Sequence, residues 1–144
     1  MSSLSASFII ADDVRREASG KLFVVGMYTN DIIIPLEQFI IPQMSLIFAI
    51  EGEHPDRPPA IFFEVTFPGE ETKTMNVPLN WPSVPISEIP IDRTRWTLKY
   101  VMPMGIITLR AGAIKANIGY ANERVPLTPF WIRHVPPATE GGPA

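Results

Sequence analysis

Few side chains in this sequence can carry chemistry. Histidine occurs twice, at His54 and His134, and cysteine is absent. A thiolate zinc site, a cysteine nucleophile and a disulfide scaffold are therefore excluded together. Neither histidine has a second one at i+2, i+3 or i+4, so metal-ligand spacing is missing. A serine or threonine nucleophile would need one of these two as its base. His54 falls in a proline-rich stretch and His134 beside the C-terminal tail, and both read as solvated turn residues. No Gly-x-Ser-x-Gly elbow and no glycine-rich phosphate loop occurs.

Carboxylates come in pairs at Asp12-Asp13, Glu51/Glu53 and Glu70-Glu71. A glycosidase needs two carboxyls about 5–9.5 Å apart across a cleft. Glu51 and Glu53 would share one face of a continuing strand, which is the ordinary pattern of a solvated strand edge. Glu70-Glu71 follows Pro68-Gly69 and reads as a turn tip. Calcium wants six to eight oxygens, and Asp12, Asp13 and Asp31 offer too few in loops that a hairpin would hold apart. The run Asp13, Arg15, Arg16, Glu17 mixes signs beside a turn, with Lys21 just beyond it. Cross-strand pairing there would contribute about 0.2–1 kcal/mol, so these residues read as hairpin support. Three tryptophans complete the inventory. Trp96 shares parity with Leu98 and Tyr100 and is expected in the core, whereas Trp131 has opposite parity to Phe130 and Ile132. Trp81 lies in a proline-rich connection, where it either folds back over the core or meets a partner.

These side chains are held by strands. Apolar residues recur with period two in Met44–Ile50, Ile61–Val65, Trp96–Tyr100 and Ile114–Tyr120. Alternate residues of a strand point to opposite faces, so each run offers one face to a core. Breaks fall at Glu17–Gly20, Glu53–Pro59, Pro68–Glu71, Met102–Gly105, Arg110–Gly112 and Ala121–Arg124. Short strands with turns every 8–12 residues or so mark a sandwich or barrel. Sixteen prolines in 144 residues cannot sit inside helices. The prediction is an all-β fold, a single antiparallel β-sandwich of about seven to nine strands, immunoglobulin-like or C2-like. Its expected core faces include Phe8 and Ile10, Leu22 and Val24, and Phe130 and Ile132. Pro35–Pro42 reads as one turn of helix or a crossover, and Leu79–Pro90 as a long irregular connection.

A chain of 144 residues with 46% hydrophobic and 19% charged side chains can fill a core as one domain. The domain is expected over residues 1–135, with a disordered Pro/Gly-rich tail at 136–144. Net charge is −3, which provides no global nucleic-acid footprint. Charge is uneven, however. Residues 1–72 carry four basic and eleven acidic side chains, and residues 73–144 carry eight and four. No basic n-region with a long apolar run opens the chain, and no apolar stretch is long enough for a spanning helix. A cytoplasmic protein of bacterial type that engages no membrane is expected.

The string Phe8-Ile-Ile-Ala-Asp12-Asp13-Val-Arg15-x-Glu17-x-x-Gly20-Lys21-Leu-x-x-x-Gly26-x-Tyr28-x-x-Asp31-Ile-x-x-Pro35 resembles the opening of a family of uncharacterised bacterial proteins of about this length. The resemblance covers roughly a quarter of the chain. It implies a small β-sandwich and no established activity, and it transfers no catalytic residue. It gives the hairpin from Asp12 to Tyr28 a second reading, in which its polar residues serve a partner.

With no assembled catalytic set, the expected function is non-enzymatic. The chain reads as an interaction or self-association module that meets a protein or its own copy through Asp12, Asp13, Arg15, Glu17, Lys21 and Trp81. No catalytic residue, cofactor or metal is implied. The alternative is a small-ligand or carbohydrate-binding sandwich using exposed tryptophans such as Trp81 and Trp131.

Overall fold

The computed structural model describes residues 4–53, 57–81, 90, 92 and 94–138. Every regular element among them is a strand. In chain order these are β1 Ser5–Arg16, β2 Leu22–Met27, β3 Ile32–Ile34, β4 Gln38–Ile41, β5 Ser45–Glu53, β6 Ala60–Thr66, β7 Lys73–Pro78, β8 Arg95–Pro103, β9 Ile107–Arg110, β10 Gly112–Tyr120, β11 Glu123–Pro126 and β12 Phe130–His134. No helix among the described residues is long and apolar enough to cross a membrane.

One sheet has the order β2-β1-β5-β8 and is antiparallel throughout. A second runs β3-β12-β10-β6-β7, with β11 paired to β10. Strands β4 and β9 form a separate pair. The core lies between inward residues of the two larger sheets. Phe48 on β5 stacks with Phe8 on β1 at 5.8 Å and meets Phe63 of the second sheet edge-on at 4.9 Å. Phe63 in turn stacks on Tyr100 of β8 at 4.9 Å. Ile10, Leu46, Ile50, Ile61, Ile114 and Ile118 fill the space around these rings, and all are buried. Each such side chain contributes about 1.5–3 kcal/mol on leaving water.

The alternation read from sequence holds in β6, where every second residue is buried and those between are half-buried. It fails in β5, where Ile47, expected on the outward face, is buried beside Leu46 and Phe48. The strand count also differs, with twelve strands in place of seven to nine. The additional ones, β3, β4 and β11, have only three or four residues each. Pro35–Pro42 contains the strand β4, neither a helical turn nor a plain crossover. Phe39 and Ile41 pack on the core while Gln38 and Ile40 are exposed, which is a two-residue period bounded by prolines. Pairing is not wholly antiparallel either, because β12 joins β3 in parallel through Ile132–Ile32, Arg133–Ile33 and His134–Ile34. Ile32 and Ile34 face the core and are buried in it, whereas Ile33 between them is exposed.

The feature that positions the candidate site is the length of β1. Its first half, Ser5–Ala11, pairs with β5. Its pairing with β2 runs from Ala11 to Arg16, beyond the first residue of β5. From Asp12 to Arg16 the strand therefore has β2 as its only strand partner among the described residues. The hairpin extends past the core as a two-stranded ribbon. Leu22 and Val24, expected in the core, are only half-buried for this reason. At the other end of the chain, Val135 N–H donates to Ile34 O, and Pro136–Ala138 are exposed without regular structure. The rest of the expected tail and most of the Leu79–Pro90 connection lie outside the described residues, as does His54.

Candidate functional site

The ribbon is closed by a tight turn. Gly20 N–H donates to Glu17 O, Glu17 N–H donates to Lys21 O, and Gly20 has a φ of +88°. A turn followed by a left-handed glycine is a standard three-residue hairpin loop, and its twist suits the flanking strands. Glu17 and Lys21 thus meet through their main chains. Ser19 Oγ donates to Glu17 Oε2 at 3.4 Å.

The structure separates the neighbouring Asp12 and Asp13 by strand alternation. Asp13 accepts from Gln43 Nε2 at 2.6 Å, from Val14 N–H at 2.9 Å and from Arg15 Nε at 3.2 Å. It therefore ties the ribbon to the chain entering β5. The Arg15 contact involves a side chain 76% exposed and contributes little beyond local order. Asp12 is directed across Gly26 of β2 and accepts a hydrogen bond from the Tyr28 hydroxyl. Burial, reinforced by the Asp12 charge and this hydrogen bond, holds Tyr28 protonated above the usual tyrosine range. Asp31 stands just before β3, in the other sheet.

Sequence reasoning missed three partners here. Gln43 gives no local signal, since it lies 30 residues from Asp13. Gly26 was legible as a glycine inside a strand, which often marks close approach of another group. The third is a face of the ribbon. Phe23, Val25 and Met27 alternate along β2 and are 56%, 41% and 50% exposed. Their cross-strand neighbours are Arg15, Asp13 and Ala11.

The tryptophans divide sharply. Trp96 is fully buried. Trp81 packs edge-on against it at 5.1 Å, donates from Nε1 to Pro58 O at 2.8 Å and has the Arg57 guanidinium over its ring. It folds back on the core, well apart from the ribbon in sequence and contacts. Trp131 is exposed. The sugar-stacking alternative therefore has one accessible tryptophan among the described residues.

The other carboxylates are locally engaged. Glu51 accepts from Ser5 Oγ at 2.9 Å and faces Arg95. Glu64 binds Arg124 at 2.6 Å and Asn117 at 3.4 Å. The Arg124 guanidinium also covers the Phe62 ring, beside a shallow depression of about 430 Å³ lined by Phe62, Asn76, Gly119 and Arg124. His134 ends β12 and is half-buried, in a strand and not in a turn. Among the described residues no three histidine or acidic side chains are grouped to hold a metal ion. Comparison with protein-family models, curated proteins and solved structures finds no match.

Proposed function

We propose that the chain is a non-enzymatic β-sandwich module, immunoglobulin-like or C2-like in general plan, that acts through protein contact with the β1–β2 ribbon as its contact element. One observation carries this reading. Strand β2 is a sheet edge with neither charge nor proline, and it presents Phe23, Val25 and Met27 to solvent on one face. Edge strands normally carry lysine, proline or a cover, because unpaired backbone groups beside apolar side chains recruit another strand. The charged residues Asp12, Asp13, Arg15, Glu17 and Lys21 form the rim of that contact. Trp81, engaged by Trp96 and Pro58, is left out of it. The likeness of residues 8–35 to uncharacterised bacterial proteins belongs to the same proposal, as does a cytoplasmic setting.

The test compares the wild-type chain with Val25→Lys, a change at an exposed position that leaves the core intact. Both are immobilised and exposed to extract from the native host, and both are sized in solution. A contact, with itself or a retained protein, that the wild type makes and Val25→Lys loses supports the reading. No such difference in either assay overturns it.

A further inference from the structure

We infer that the depression beside the turn joining β10 to β11 is a binding site for a neutral carbohydrate. It lies on the outer face of the second sheet, apart from the ribbon, and does not depend on the contact reading. Three observations carry it.

The first is how the depression is made. Gly119 of β10, Phe62 of β6 and Asn76 of β7 lie in one register row, and Gly119 faces Arg124 of β11 on its other side. Strands in the row are about 4.8 Å apart. Ile61 and Phe63 are buried, so Phe62 and the residues opposite it point outward. Gly119 leaves a gap in this row, and Ala60, two residues before Phe62, adds only a methyl. The gap is obligatory, because a Cβ on Gly119 would stand 2.8 Å from Glu123 O. The resulting space of about 430 Å³ falls within the range of small-ligand sites.

The second is that its polar groups are held in place and matched in charge. Arg124 Nη1 donates to Glu64 Oε1 at 2.6 Å, and the guanidinium carbon stands 5.6 Å from the Phe62 ring centroid. Asn117 Nδ2 donates to the other carboxylate oxygen of Glu64 at 3.4 Å. A guanidinium has five N–H donors, so this pairing leaves donors for a ligand. The exposed Asn76 adds an amide that both donates and accepts. Glu64 already meets the Arg124 charge, and Glu123 lines the same depression, so an anion gains little there. The guanidinium disfavours a cation beside it. A wholly apolar ligand would strip water from these groups without replacing it. A sugar offers hydroxyls to Asn76 and Arg124 and C–H faces to Phe62 and Ala60.

The third is backbone strain. Ala121 has a φ of +55° and is the one non-glycine residue with positive φ among the described residues. L-residues avoid this region, and hairpin turns that need it favour glycine or asparagine. Here asparagine stands one place later, at Asn122, and alanine takes the strained position. Ala121 also lines the depression. Strain of this kind gathers at ligand clamps, where the side chain serves the site.

The isotope-labelled full chain is titrated with glucose, galactose, mannose, N-acetylglucosamine, maltose and cellobiose, and with glucuronate and glucosamine as charged counterparts, while NMR follows each backbone amide. Saturable shifts centred on Phe62, Asn76 and Gly119–Arg124 are expected with a neutral sugar, at millimolar concentration because the site is open to water. The charged counterparts should bind several-fold more weakly. Asn76→Ala should weaken binding about two- to tenfold, as loss of one neutral hydrogen bond would, with an unchanged thermal melt. Ala121→Gly should raise the urea midpoint and lower affinity together. No saturable shift with any neutral sugar, shifts centred on Trp131, tighter binding of glucuronate or glucosamine, or affinity unchanged in both variants overturns the inference.

Discussion

The carboxyl carbon of Asp12 stands 2.8 Å from the point where a side chain on Gly26 would begin. Gly26 also has a φ of +67°, in the left-handed region. Two independent constraints therefore demand glycine at one position of β2. They explain how an acidic side chain can lie flat over the neighbouring strand and still reach Tyr28.

Substituting Gly26→Ala should destabilise the chain by more than the about 1–2 kcal/mol of a left-handed alanine alone, because the Asp12 carboxylate must also move. Gly20→Ala is the matched control. Gly20 has φ +88° but nothing within 4 Å of its added methyl. Urea titration of both variants checks this, with a lower midpoint for Gly26→Ala than for Gly20→Ala. Equal losses would show that the Asp12 contact contributes nothing.

Tyr28 makes stability depend on pH at the alkaline end. Its hydroxyl is raised above the ordinary 10.0, by burial first and by Asp12 second. Above the unfolded value the unfolded chain releases this proton while the folded chain keeps it. The folded state then binds more protons, and stability falls as pH rises. Below pH 10.0 the contribution is fully present, and it is lost through the folded-state titration. Tyr28→Phe should remove this component of the alkaline slope in thermal melts, and Asp12→Asn should reduce it. An unchanged slope in Tyr28→Phe would refute the assignment.

Gly52 is required for packing, not for backbone conformation. A methyl there would start 2.5 Å from Cζ2 of the buried Trp96, which supports Trp81 in turn. Gly52→Ala should cost about 1–3 kcal/mol by overpacking and should alter the near-ultraviolet dichroism of the paired indoles. Coupling is the diagnostic. In a Trp96→Phe background the same substitution should cost distinctly less, since the clashing part of the indole is gone. Additive effects would place the strain elsewhere.

What the sequence settled by itself was periodic. Alternation in the long runs places Phe8, Ile10, Leu46, Phe48, Phe63 and Trp96 inside, and the positions of proline and glycine place the principal turns. Those are local properties, because a two-residue period or a left-handed glycine needs no distant partner to be recognised. What only the tertiary structure decided was relational. It separated Asp12 from Asp13, one toward Tyr28 and the other toward Gln43. It turned Trp81 onto Trp96, made Gln38–Ile41 a strand and set β3 parallel to β12. Above all, β1 outruns β5, so an alternating strand that looks like core wall becomes an exposed ribbon. A period shows that a strand has two faces. Whether either face is covered depends on the length and position of its neighbours, which no local pattern encodes.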